Sequence, residues 1–163
     1  MEFEAKTEYS SALITRAAWT FWMKKHRNDA VLSIIALIVV LYFFLIERNE
    51  NWFVGFMLAV ATIYVGAVYG GFLAYRRSSL ALLRAMGSSE ATWSFSENGI
   101  FCESGAGKAE MKWTAIDRLW RFREFWLLIY ANGTYSTLPA SPLSEDAKTF
   151  IEGKVRQAGG QVT

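Results

Sequence analysis

The chain has very few of the residues that build covalent cross-links, metal centres and catalytic triads. Its 163 residues include one cysteine, Cys102, two prolines and one histidine, His26. One cysteine excludes an internal disulfide and any metal site that needs several thiolates. No nucleophile is spaced for a triad with His26, and no paired carboxylates stand out. These absences predict a protein that is not an enzyme and that needs no cofactor.

The chain also lacks an excess of charge of either sign, since its formal net charge is only +2. Domains that bind nucleic acid usually carry a dense basic patch and an extreme pI, so we expect no nucleic-acid partner. The charged residues lie outside two long apolar stretches, although 53% of the chain is hydrophobic. This segregation is typical of a membrane protein. The acidic segment 1–9 lacks a basic start and an apolar run, so we expect no cleaved signal peptide.

Two uncharged runs, 30–46 and 52–75, are candidates for membrane spans. At 1.5 Å rise per residue they cover roughly 26 Å and roughly 36 Å. The second run is long enough to cross a bilayer core, and the first is long enough if Asn28 and Asp29 snorkel or if the bilayer thins slightly. The polar segment 47–51 between them leaves room only for a tight turn. We therefore expect an antiparallel transmembrane hairpin. A buried soluble hairpin is the alternative, but it would need a much larger protein around it.

Basic residues flank both runs on the side away from the turn. They are Lys24, Lys25 and Arg27 before the first run and Arg76, Arg77 and Arg84 after the second, whereas the turn holds only Arg48. Cytoplasmic flanks of membrane spans are enriched in lysine and arginine. The sequence therefore predicts a multi-pass protein with both termini in the cytoplasm.

Small residues recur every four positions in the second run. They are Thr62, Gly66, Gly70 and Ala74. Such a stripe lets another helix approach closely, and we expect the first span to pack there through Ser33 or Ala36. A dimer face and a site for a foreign helix are the alternatives. Neither run contains an ionisable residue, so a transport path is not expected.

The segments outside the hairpin divide the chain further. We expect a short strand and an amphipathic helix in 1–29, a linker or short helix in 76–90, and a β-rich domain in 91–163. Six strands are predicted at 92–96, 100–104, 109–113, 116–122, 125–131 and 134–138, followed by a helix that Ser144 caps and that runs to about Gln157. They describe one small curved sheet closed by a helix. Phe3 and Ala5 can pair into its open edge because both termini lie on one side.

The Asn132-Gly133 pair is a strong signal for a two-residue hairpin turn. That turn would place Tyr130 opposite Tyr135 and Leu127 opposite Leu138. One face would then be a domain core, formed by Phe125, Leu127, Ile129 and Leu138. The other face would be apolar too, and it would carry Trp126, Leu128, Tyr130 and Tyr135.

A sheet with one solvated face should not be apolar on both sides, so the second face needs a cover. The amphipathic helix, the membrane surface and another protein are all possible. Tryptophan and tyrosine are enriched at binding hot spots, which makes Trp126, Tyr130 and Tyr135 a candidate partner surface. The strand containing Arg118 and Arg121 is the alternative surface, although its arginines could equally protect a strand edge.

Four local features carry a resemblance to a known family. They are the Asn98-Gly99 turn before Ile100, the Trp113-x-x-Ile116 step, the apolar strand Phe125 to Tyr130, and Leu138-Pro139 before the last helix. With the two spans, the arrangement resembles the YcxB-like family of bacterial membrane proteins, whose C-terminal part is similar to a pleckstrin-homology-like (PH-like) fold. The resemblance implies a membrane α+β protein of the bacterial inner membrane with a PH-like cytoplasmic domain. It implies no catalytic or ligand residues.

Three functions are compatible with this sequence. The first is a non-catalytic, membrane-tethered interaction module, an accessory or regulatory subunit that binds another membrane protein or a second copy of itself. The second is an immunity-type protector that blocks a membrane-acting toxin through the stripe of small residues. The third is a lipid or metabolite sensor. The wider PH-like fold binds lipid through a basic cluster in its first strand-to-strand loop, which Lys108 and Lys112 do not convincingly match.

Overall fold

The computed structural model describes residues 2–45, 52–85, 87 and 89–163. These residues form an α+β fold with two β-sheets and four helices. The helices are α1 (Ser11–Leu45), α2 (Trp52–Ala85), a short 3-10 helix (Trp113–Ala115) and α3 (Glu145–Gln157). The predicted turn at 47–51 lies outside the described residues.

Eight strands form two four-stranded sheets rather than the single curved sheet that we expected. The first sheet has the order β1-β2-β3-β4 and contains Phe3–Glu8, Glu90–Phe95, Ile100–Ser104 and Gly107–Met111. The second sheet has the order β7-β6-β5-β8 and contains Tyr135–Pro139, Phe125–Tyr130, Ile116–Arg121 and Gln161–Val162. The 3-10 helix interrupts the chain between β4 and β5, so these two strands separate into different sheets instead of pairing.

The N-terminal strand completes the first sheet, as predicted. In β1, Phe3 pairs with Phe95 and Ala5 pairs with Trp93 of β2. Both long helices therefore lie between two paired strands in the sequence. One compact unit contains Met1–Ala17 together with Ser78–Thr163, and the other contains Ala18–Arg77. We call them the sheet unit and the helical unit. The sheet unit is discontinuous in sequence, because the helical unit is inserted between β1 and β2.

The core of the sheet unit lies between the two sheets and α3. Phe95, Ile100, Leu128 and Leu138 are fully buried there, as is Ile151 of α3. Burying a side chain of this kind contributes about 1.5–3 kcal/mol. The helix begins where the sequence predicted it, because the Ser144 hydroxyl accepts a hydrogen bond from the Ala147 N–H at 3.1 Å. The last helix thus closes the core as expected.

The turn between β6 and β7 differs from the predicted one by a residue. Gly133 adopts a positive φ of 78°, and its N–H donates to the Tyr130 carbonyl at 2.8 Å. The Tyr130 N–H in turn donates to Thr134, so the loop has three residues instead of two. Ile129 therefore pairs with Tyr135, and Trp126 pairs with Leu138. The predicted register is wrong, and one residue of slip exchanges the faces of a strand.

The helices are longer than the predicted segments. The expected amphipathic helix and first span are the two parts of α1, which are separated by a kink with non-helical backbone angles at His26, the predicted last residue of the amphipathic helix. The second run continues as α2 through most of the expected linker to Ala85. Among the described residues, one helix, Gly55–Ala85, is long and apolar enough to cross a membrane, while the apolar segment Val31–Tyr42 is shorter.

Candidate partner-binding surface

Two aromatic residues that we expected on a partner surface lie in the core. Trp126 is 5% exposed and packs in the same cluster as Leu128 and Leu138, and Tyr130 packs against that cluster. The Tyr130 hydroxyl is buried and has no hydrogen-bond partner in the described part of the chain. Burial raises the pKa of Tyr130. The face that Trp126 and Tyr130 share is therefore the one turned towards the first sheet and α3.

Tyr135, the third member of that predicted surface, lies on the opposite face of the second sheet. It shares this face with Ile129, its pairing partner, and with the fully buried Leu127. The parts of α1 and α2 that belong to the sheet unit lie next to this face. Arg16 pairs with Glu124 at 2.6 Å, directly before β6, and the Ser79 hydroxyl lies 3.5 Å from that of Tyr135. The first part of the expected amphipathic helix, residues 11–17, thus lies next to this face within the sheet unit.

The two arginines of the alternative surface also point to opposite faces. Arg118 pairs with Ile129 across the sheet, whereas Arg121 pairs with Trp126. The Arg118 Nε lies 3.1 Å from the carboxylate of Asp117, and the Arg121 Nη1 lies 2.7 Å from that of Glu152. These arginines do not form one basic surface, and each already has an acidic partner.

The stripe of small residues on α2 is exposed in the described structure. Its members are Thr62, Gly66, Gly70 and Ala74. Among the described residues, no atom lies within 4 Å of a Cβ built at Gly66 or Gly70. The close contact lies one residue further on, where a Cβ at Gly71 would be 2.6 Å from the Trp22 ring. The Trp22 ring of α1 thus meets α2 at Gly71, and in the part of the chain that the structure describes neither Ser33 nor Ala36 reaches Gly66 or Gly70.

The outer face of the first sheet carries an apolar side chain that we had not singled out. Phe101, in β3, is 36% exposed, and it is the only large apolar side chain exposed among the described residues of the sheet unit. Its neighbours Ile100 and Cys102 point inward. The sequence contained a signal for this position. Side chains alternate between the two faces of a strand, so Phe101 shares its face with the charged Glu103 and lies opposite to Ile100.

Carboxylates dominate the surroundings of Phe101. The outward positions of the first sheet carry the acidic residues Glu4, Glu8, Glu90, Glu103 and Glu110 and the basic residues Lys6 and Lys108. Glu110 lies directly beside Phe101 in the sheet, and Lys108 pairs with Glu103 at 2.9 Å. An exposed phenylalanine surrounded by carboxylates is suited to bind a protein partner whose surface has an apolar site bordered by basic residues.

The inward side chains of the first sheet include the single thiol. Cys102 pairs with Trp93 and Ala109 in the neighbouring strands, and burial raises the pKa of its thiol to about 11. A thiol with so high a pKa is a poor nucleophile at neutral pH. No group of three or more His, Cys, Asp or Glu side chains is placed to hold a metal ion within the described ranges.

The comparisons with known proteins extend to one segment of the chain. The model of the YcxB-like protein family matches residues 95–152, from the last residue of β2 into α3. No curated protein matches the chain significantly, and no solved structure does. The sheet unit therefore contains a YcxB-like segment that includes Phe101, β4 and most of the second sheet.

Proposed function

We propose that this protein is a non-catalytic, membrane-anchored interaction module, in which a two-helix transmembrane hairpin is inserted into a PH-like cytoplasmic domain that binds another protein. One observation carries the proposal: the exposed apolar side chains are concentrated on the two helices, whereas the sheet unit buries nearly all of its own. A single soluble domain has no means of shielding such helices from water. A bilayer shields them without any further protein.

The exposed side chains run along both helices. In α1 they are Trp19, Met23, Val31, Leu32, Ile34, Ile35, Ile38, Val39 and Tyr42, and in α2 they are Trp52, Phe56, Met57, Val60, Ile63, Tyr64, Val65 and Tyr69. Aromatic rings gather near Trp22, which contacts Tyr75 and His26, and the Lys25 ammonium lies 5.5 Å from the centre of the Phe21 ring. Aromatic and basic residues are enriched at the membrane–water boundary. This arrangement supports two spans, with both termini on the cytoplasmic side of a bacterial inner membrane.

The order of the elements supports a PH-like domain. Four antiparallel strands, three further strands and a closing helix follow one another, and the hairpin occupies the connection between β1 and β2. With β1 as the first strand, this connection, and not the segment that contains Lys108 and Lys112, corresponds to the loop through which the wider fold binds lipid headgroups. Because two long helices replace the loop, the geometry favours a protein partner over a lipid ligand, and the Phe101 face is the surface that we assign to it.

Reporter fusions test the membrane part of the proposal. Fusions before Met1 and after Thr163 should both report the cytoplasm, and an insertion at Asn49 should report the opposite side. The basic flanks of the two runs motivate this expectation. A C-terminus outside the cytoplasm, or release of the protein from membranes by alkaline carbonate, would refute the proposed anchoring.

A matched pair of variants tests the partner surface. Phe101→Asp places a charge at the centre of the acidic face, and Ala131→Asp places the same charge in the exposed β6–β7 loop. Capture from detergent-solubilised membranes should yield one stoichiometric protein with the wild type and with Ala131→Asp, but not with Phe101→Asp. Equal capture by both variants would remove the Phe101 face from the proposal.

The immunity-type protector remains a second candidate, because the small-residue stripe on α2 is exposed. In that case the partner is another helix within the bilayer, which approaches the chain at Gly66 and Gly70. Gly70→Leu should then abolish capture, while Phe101→Asp should leave it unchanged. The opposite pattern supports the interaction module.

A further inference from the structure

Strand β4 is an edge of the first sheet. Among the described residues it pairs only with β3, through Ser104 opposite Gly107 and Cys102 opposite Ala109. The two-residue turn Gly105-Ala106 makes Ser104 and Gly107 a hydrogen-bonded pair, so pairing alternates along the strand from there. The backbone N–H and C=O groups of Lys108 and Glu110 consequently point away from β3. They form a free edge that can accept another strand.

The side chains on this edge are self-complementary in one register. Lys108 and Glu110 lie on the same face of the sheet, on either side of Ala109. If a second β4 runs antiparallel with Ala109 opposite Ala109, each Lys108 faces a Glu110 of the other copy. In the same register, the backbone N–H and C=O groups of Lys108 and Glu110 that point away from β3 face those of the other copy, so the two strands can form hydrogen bonds. Shifting it by two residues opposes like charges, either lysine with lysine or glutamate with glutamate.

We propose that two copies of this chain associate through β4, with Lys108 and Glu110 forming two symmetric ion pairs about a two-fold axis at Ala109, so that the two first sheets join into one continuous sheet. A two-fold axis makes the same patch serve both copies, which the Lys-Ala-Glu order satisfies. Alternating charges on an edge repel most other strands. The pairing is therefore selective for the chain's own edge, and it does not depend on the partner or the anchoring proposed above.

Charge exchange tests the pairing in the full chain in nanodiscs or mild detergent. Lys108→Glu and Glu110→Lys should each reduce the dimer strongly, because each variant opposes like charges at both pairs. The double variant Lys108→Glu/Glu110→Lys should restore the dimer, and an equimolar mixture of the two single variants should form a heterodimer. Glu103→Gln is the control, since it removes the internal partner of Lys108 and should leave the dimer intact.

Disulfide trapping tests the register. Facing residues of a non-hydrogen-bonded pair have Cα atoms about 4.5 Å apart, which is within the range for a disulfide. Ala109→Cys in a Cys102→Ser background should therefore cross-link on mild oxidation. Ala106→Cys is the control, because its two copies would lie about 20 Å apart along the strands and should not cross-link.

A wild-type chain that stays monomeric at every protein concentration would overturn the proposal. A dimer that is insensitive to all charge exchanges and that Ala109→Cys does not trap would overturn it as well, because the association would then lie elsewhere, such as on the helices. Partner capture by the wild type is scored separately. Failure of the dimer is thus distinguishable from failure of the proposed function.

Discussion

The indole N–H of Trp93 donates a hydrogen bond to the hydroxyl of Tyr9 at 3.0 Å. The same hydroxyl donates to the backbone carbonyl of Thr137 at 2.8 Å. Trp93 belongs to the first sheet and Thr137 to the second, so Tyr9 joins the two sheets through one oxygen atom. Tyr9 also lies two positions before α1, and its own N–H donates to the carbonyl of Ser89. The end of β1, directly before α1, is therefore hydrogen-bonded to the start of β2, where the chain returns from α2.

Two tyrosine-to-phenylalanine changes should have opposite effects on stability. Tyr9→Phe leaves the Trp93 indole N–H and the Thr137 carbonyl without their partner, which should cost about 1–3 kcal/mol. Tyr130→Phe removes a buried hydroxyl that lies near the Ser136 side chain but makes no hydrogen bond of good geometry in the described structure, so it should be neutral or stabilising by up to about 1 kcal/mol. Urea unfolding of the full chain in detergent measures both. Equal losses would contradict the assigned hydrogen bonding.

Alkaline pH should destabilise the sheet unit. Burial raises the pKa of the Cys102 thiol from its ordinary 9.0 to about 11, and burial also raises the pKa values of Tyr9 and Tyr130. An acid that holds its proton more tightly in the folded state contributes stability that is complete below its unfolded pKa and is lost as the pH rises through its folded pKa. The free energy of unfolding should therefore fall from pH 9 to pH 11. Cys102→Ala should make this decline shallower.

Two glycine-to-alanine changes also form a matched pair. A Cβ at Gly99 would collide with the Met111 carbonyl oxygen, so Gly99→Ala forces two backbones apart and should cost about 1–3 kcal/mol. Gly153 lies in α3 with no atom near its Cβ position, so Gly153→Ala should stabilise by up to about 1 kcal/mol. Thermal unfolding should move in opposite directions. A stabilising Gly99→Ala would contradict the close approach.

Leucine substitutions at adjacent glycines of α2 should separate internal packing from an open helix face. Gly71→Leu collides with the Trp22 ring and should lower the melting temperature of the solubilised chain. Gly70→Leu extends into open space and should leave that temperature unchanged. If Gly70→Leu is the more damaging change, the first helix packs on the small-residue stripe after all.

Local signals predicted much of the architecture. Ser144 caps α3 because its hydroxyl acts on a backbone group three residues away, and such short-range chemistry is readable from sequence. The pairing of Phe3 and Ala5 with β2 was predicted from the expectation that both termini lie on one side, although both long helices separate β1 from β2 in the sequence. The two long apolar runs likewise became α1 and α2.

The candidate surface was harder to predict, because it depended on one turn. Asn-Gly is compatible with loops of two or three residues, and Gly133 with its positive φ completes the longer one. That choice moved Tyr135 to the other face from Trp126. Independently of the turn, the first sheet and α3 cover the face of β6 that carries Trp126 and Leu128, which is the face predicted to lie outside the core. The separation of β4 from β5 was not readable either. It decided that there are two sheets, and hence that Phe101 lies on a solvated face.

The insertion of the helices between β1 and β2 has a consequence for biosynthesis. Thr7 and its partner Ala91 are 84 residues apart in sequence, so at 5–20 residues per second the ribosome needs about 4–17 s to make the second after the first. During that time β1 has no sheet to join, and both long helices are made before β2 exists. The first strand to be synthesised must therefore wait for both helices, so the sheet unit is completed only after the helical unit has been made.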